Sequence, residues 1–113
     1  MNILYVENNL NFFNAVRREF LSEHNIVNFP TIKEALAELH EKKFDLVLVD
    51  YDLDDGKGVE LVREIRKTNN ELPIIAVSSH EKGNNEMINS GADAYCAKLQ
   101  FKQINAIIES VVH

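Results

Sequence analysis

Phe44-Asp45-Leu46-Val47-Leu48-Val49-Asp50-Tyr51-Asp52-Leu53-Asp54-Asp55-Gly56-Lys57-Gly58 is the stretch whose reading decides the fold. Leu46 to Val49 is a short, unbroken apolar run, the pattern of a strand buried on both faces in a parallel sheet covered by helices. It stops at Asp50, and the carboxylates of Asp52, Asp54 and Asp55 follow at once. A carboxylate at the carboxyl tip of a central parallel strand stands where open α/β sheets bind ligands. The same aspartates and glycines would also make a plain solvated turn. The rest of the chain has to decide between the two.

Working outward, Ile3-Leu4-Tyr5-Val6 is a second buried run, ended by Glu7-Asn8-Asn9. From Leu10, apolar residues fall at Leu10, Phe13, Val16, Phe20 and Leu21, with Phe12 beside them, which is helical spacing. Asn8 or Asn9 would cap that helix. Ile26 to Phe29 is a short strand, and Thr31-Ile32-Lys33-Glu34 spells a capping box for a helix reaching about Lys42. After the central strand, Val59, Val62 and Ile65, with Leu61 beside them, form the stripe of a third helix starting at Gly58. Pro73 to Val77 is the fourth strand, closing on Ser78-Ser79-His80. The helix expected over about Glu81 to Ser90 is the weakest, with Gly83, Asn84, Asn85 and Asn89 in it and only Met87 and Ile88 as apolar anchors. Ala94 to Ala97 makes a fifth strand ending at Lys98, and a last helix is expected from Phe101 to Val112. Cys96 is expected to be a structural, packed thiol on that strand.

Strands alternating with helices at this spacing imply repeated right-handed βαβ units. The expected fold is α/β: a doubly wound, flavodoxin-like (βα)5 domain over residues 1–113, with a five-stranded parallel sheet of order 2-1-3-4-5. The switch point then lies between strands one and three, which brings Glu7, Asn8 and Asp50 to one crevice. Ser78 and Lys98 line its far side. Carboxylates from two strand tips suit a hard divalent ion such as magnesium, which takes oxygen ligands and keeps water and phosphate. A lysine and a hydroxyl across the crevice can hold phosphate oxygens, and the central aspartate could be a nucleophile for a phosphoryl group.

The formal charge of −6 argues against nucleic acid as a partner, because phosphate-backbone binding needs a basic surface. No apolar run approaches membrane-spanning length, and no charged leader opens the chain. A single cysteine and no signal peptide point to a reducing, cytoplasmic setting. His24, His40, His80 and His113 show no metal-ligand spacing.

The whole chain resembles a response-regulator receiver domain, the phosphoacceptor module of two-component, phosphorelay signalling (the CheY-like superfamily). The matching residues are Ile3 to Asn8, Asp45 to Asp50 with Gly58 eight positions on, Pro73 to Ser78, and Gly91 to Lys98. The resemblance implies that Asp50 is the phosphoacceptor, Ser78 the switch hydroxyl and Lys98 the phosphate contact. It makes Tyr95 the signalling aromatic whose inward turn reports activation. Magnesium would be held by Glu7, Asn8, Asp50 and the backbone carbonyl of Asp52. The implied partners are a sensor histidine kinase or phosphotransfer protein, and a downstream target or a linked output domain outside this chain. A turnover enzyme is not implied.

Three departures stand out. Asn8 replaces an acidic ligand, so magnesium should bind more weakly than in relatives with two acids there. Asp54 replaces a proline and adds negative charge. Leu99 replaces a proline that usually follows a cis bond, so the loop after Lys98 should be rearranged or strained. The alternative is a pseudo-receiver, the same fold used as a protein-interaction module without phosphorylation. A small hydrolase or nucleotide-binding enzyme is opposed by Glu7-Asn8-Asn9, which stands where a Gly-rich phosphate loop would be.

Overall fold

The computed structural model describes residues 1–112; His113 lies outside the described residues. Five strands, β1 (Asn2–Val6), β2 (Asn25–Phe29), β3 (Leu46–Val49), β6 (Ile74–Ser78) and β7 (Ala94–Ala97), form one parallel sheet in the order β2-β1-β3-β6-β7. Two short strands, β4 (Asp52–Leu53) and β5 (Gly56–Lys57), pair with each other outside it. Leaving out that hairpin, the sheet has the expected order 2-1-3-4-5. The sequence reading held this stretch as a loop. Its Asp54-Asp55 turn instead closes a hairpin, with Asp52 opposite Lys57 and Leu53 opposite Gly56.

Alternation along each strand explains why both sheet faces are apolar. Leu4, Val6, Val47, Val49, Ile74 and Ala76 face helices α2 (Ile32–Glu41), α3 (Gly58–Thr68) and α4 (Glu81–Asn89). Ile3, Tyr5, Leu46, Leu48, Ile75, Val77 and Cys96 face α1 (Leu10–Phe20) and α5 (Ile104–Val111). The last helix starts three residues later than its apolar spacing suggests. Lys98–Gln103 form a 3-10 turn, with Phe101 buried inside it.

The helix starts show which local signals hold. Asn9 caps α1, its side chain accepting the Phe12 amide at 3.0 Å. Thr31 caps α2, its hydroxyl oxygen accepting the Glu34 amide at 3.1 Å. Glu34 does not reach back to the main chain as a capping box would; it takes the Thr31 hydroxyl proton instead, at 3.0 Å. The remaining free amides of that helix, Ile32 and Lys33, donate to the Asp55 carboxylate at 2.7 and 3.1 Å. Those bonds, the one from Ile32 first, hold the Asp55 carboxyl below its usual pKa. Asp55 thus ties the β4–β5 hairpin to α2, a role its position in an acidic run did not reveal.

Register decides what reaches the crevice. Val6 is level with Val49, Val49 with Ala76, and Ser78 with Ala97. Glu7 and Asp50, the next residues, therefore emerge level at the carboxyl edge of the sheet, with Ser78 and Lys98 reaching one and two residues further along the neighbouring strands.

Candidate functional site

Glu7 and Asp50 are both almost fully buried, at 1% and 5% exposure, although each carries a carboxylate. One cation serves both: Lys98 Nζ is 2.8 Å from Glu7 Oε1 and 3.3 Å from Asp50 Oδ2. The approach to Glu7 Oε1 is an ion-pair contact without hydrogen-bond alignment, which leaves that oxygen a free acceptor. The other carboxylate oxygens are claimed by the main chain. Asn9 N donates to Glu7 Oε2 at 3.0 Å, and Tyr51 N donates to Asp50 Oδ1 at 2.8 Å. Burial pushes the Asp50 carboxyl up from 3.8 to about 7, and the Glu7 charge adds to this, while Lys98 pulls the other way. Two buried carboxylates with one lysine leave the crevice short of positive charge.

Around this pair the backbone comes close. A Cβ on Gly58 would overlap the carbonyl oxygen of Asp50, so only glycine lets α3 begin there. Ser78 is buried, and its Oγ accepts the His80 amide at 3.0 Å. Asn84, buried at the start of α4, donates to the Ser78 carbonyl at 3.2 Å. Tyr51 hydrogen-bonds Glu86 Oε2 at 2.7 Å, and its ring lies on Gly83, where a Cβ would sit 2.6 Å from the ring. Gly83 and Asn84 looked like plain weak points of this helix in the sequence. The fold uses both, one to seat a ring and the other to hold the Ser78 loop.

The other expected site residues lie as follows. Asn8 is exposed at the crevice mouth, and its amide donates to Asp54 Oδ1 at 3.3 Å. The Asp52 side chain is turned to Lys57 and to His80, whose Nε2 is 3.5 Å away. Tyr95 points outward and is half exposed. Cys96 is buried, and burial raises its thiol to about 11. The Lys98–Leu99 peptide is trans, as are all the described peptides, and the chain turns there into the 3-10 segment with Leu99 fully in solvent. A rearranged loop was expected, and this is the form it takes. Sequence reasoning missed Phe12, whose ring lies 4.7 Å from Lys98 Nζ. The signal available was an aromatic just off the core-facing stripe of α1.

Among the described residues, no three His, Cys, Asp or Glu side chains converge on a metal-holding point. A cation in the crevice would rest on two carboxylates, an amide, main-chain oxygen and water. That all-oxygen set, with Glu7 Oε1 unclaimed, suits magnesium rather than a nitrogen- and sulfur-loving metal.

An acidic, lysine-bridged crevice at the switch point of a doubly wound parallel sheet stands where α/β domains of this kind bind their ligands. The family model described as response regulator receiver domain matches residues 3–109, and the chain belongs to that family. It is a CheY-like receiver domain of the kind found in response regulators of two-component systems. The KDP operon transcriptional regulatory protein KdpE of Escherichia coli is 31% identical over 70 residues, 60% of this chain and 31% of that protein. The chain spans from about a third to under half of the length of the curated relatives it matches. The response regulator TrrA of Thermotoga maritima, solved in complex with Mg(2+)-BeF, has TM-score 0.88 at 24% identity, covering 98% of each chain. A structure of the histidine kinase ThkA in complex with TrrA gives TM-score 0.85 at 25% identity, covering 99% of this chain and 98% of that one.

Proposed function

We propose that residues 1–113 form a single receiver domain that accepts a phosphoryl group on Asp50 from a sensor histidine kinase or phosphotransfer protein. The observation that carries this reading is the Glu7–Lys98–Asp50 arrangement, a buried carboxylate whose free-standing neighbours can take up phosphate and cation charge. An Asp50 carboxylate oxygen attacks the phosphorus, and the bond from phosphorus to the donor breaks as the acyl phosphate forms. Lys98 shifts from pairing two carboxylates to pairing the phosphoryl oxygens. The Ser78 hydroxyl, freed from the His80 amide, supplies a further hydrogen bond to the same group. Glu7, Asn8, Asp50 and the Asp52 carbonyl would hold magnesium, which supplies positive charge for the transferring group. With Asn8 an amide, that hold is weaker than two acids would give.

Tyr95 is the signalling residue in this reading, turning from its exposed position toward the space Ser78 vacates. The domain is not a turnover enzyme; it is consumed and reset as a signal. Its donor is a kinase of the class that ThkA represents for TrrA. Its target is a downstream protein or an output domain in the same polypeptide, and its setting is cytoplasmic. Among the described residues no helix is long and apolar enough to cross a membrane.

The test is intact-mass spectrometry after acetyl phosphate with magnesium, for the wild type and Asp50→Asn. One phosphoryl adduct on the wild type and none on the variant supports the proposal. No adduct on either at saturating magnesium would give the role of a protein-interaction module without phosphorylation.

A further inference from the structure

Lys98 is held in place without help from the chain that follows it. Leu99 is 96% exposed, and Gln100 leaves helical geometry at φ −120° and ψ 31°. The first buried anchor after Lys98 is Phe101, three residues on. A flexible four-carbon side chain on such a segment needs a wall if its ammonium is to stay over two carboxylates. That wall is Phe12. Its ring lies under Lys98 Nζ at 4.7 Å from the centroid. The ring is itself fixed from two sides: edge-on to Phe101 at 5.8 Å and 87°, and through its own amide, which Asn9 caps at 3.0 Å. Phe101 in turn stacks on Tyr5 at 6.3 Å. The aromatic row thus runs from the core to the ammonium.

We propose that Phe12 is a positioning residue for Lys98, its π face holding the ammonium where it bridges Glu7 and Asp50. The ring's electron-rich face attracts a cation that two carboxylates alone would leave free to swing out to water. A leucine at position 12 would fill similar space and supply no such face. The proposal rests on Lys98 as the phosphoryl contact, so its test reads the lysine directly as well as the reaction.

The experiment is competitive acetylation of the folded protein with trace acetic anhydride, scored for each lysine by peptide mass spectrometry. Four proteins are compared: wild type, Phe12→Leu, Phe12→Tyr, and the chain with pentafluorophenylalanine at position 12. The fluorinated ring keeps the shape and reverses the charge of the face. Lys98 should label about 3- to 10-fold faster with leucine and with the fluorinated ring. It should stay near the wild-type rate with tyrosine, and the other lysines should not change. Acetyl phosphate labelling of Asp50 should slow in the same two proteins and recover with tyrosine. An unchanged Lys98 rate in Phe12→Leu, or a fluorinated ring that behaves as the natural one, overturns the proposal. A Lys98 rate that follows ring charge while no protein takes a phosphoryl group overturns the phosphoacceptor reading and leaves the positioning role standing.

Discussion

Replacing Asp50 should make this protein more stable, and by an amount that depends on pH. Asp50→Asn keeps the shape and the Tyr51 amide bond to Oδ1, removes the charge beside Glu7, and leaves Lys98 paired with Glu7 alone. In the wild type the Asp50 carboxyl rises from 3.8 to about 7 on folding, chiefly through burial. Below 3.8 the group is neutral in both folded and unfolded chains and costs nothing. Between 3.8 and 7 the unfolded chain ionises while the folded one keeps its proton, so stability falls as pH rises. Above about 7 the penalty is complete. At 1.36 kcal/mol per unit, about three units give an upper bound of about 4 kcal/mol. Water entering an open crevice screens part of this, leaving about 2–3 kcal/mol. For a domain of this size that raises Tm by about 8–15 °C. The assay is thermal unfolding of both proteins in chelator at pH 4 and pH 8. The gap should be wide at pH 8 and nearly closed at pH 4. Equal Tm values at pH 8 would refute the reasoning. So would a gap of the same size at both pH values, which would mean packing rather than ionisation.

Asn8→Asp should tighten magnesium binding about fivefold, as one more carboxylate faces the ion, and speed acetyl phosphate labelling of Asp50. Calorimetric titration checks the first half, and equal affinities would mean that Asp54 or Asp52 already supplies the charge. Gly83→Ala should destabilise the protein by about 1–2 kcal/mol despite alanine's better helix propensity, because the new methyl meets the Tyr51 ring. Urea unfolding measures this, and in a Tyr51→Ala background the same Gly83→Ala change should cost little, because the ring it meets is gone. Cys96 should resist thiol reagents in the native protein at pH 8, since burial holds its thiol near 11. Disulfide-exchange labelling as fast as that of the urea-unfolded chain would contradict this.

Much of the molecule could be read from the residues alone, because the signals concerned are short-ranged. The Leu46–Val49 run reads as a strand buried on both faces, and the strands and helices that alternate around it point to a doubly wound parallel sheet. Asp50, Glu7, Ser78 and Lys98 each end a strand, so a reading of strand ends finds all four as a set. The same reasoning could not see contacts made across the fold. Asp55 capping α2, Tyr51 seated on Gly83 and Phe12 beneath Lys98 join residues 23, 32 and 86 positions apart. Nothing in local propensity marks such pairs, since each depends on two elements meeting at one distance. The start of α5 was misplaced for the same reason: Phe101 has helical spacing with Ile104 and Ile108, but its ring is drawn into the aromatic row and winds that turn as 3-10. Sequence alone determined which groups stand at the strand ends, because alternation and strand limits follow from neighbours along the chain. Only the tertiary structure decided their charge and hold. The pKa of Asp50 and the place of Lys98 come from burial and from partners that folding brings close.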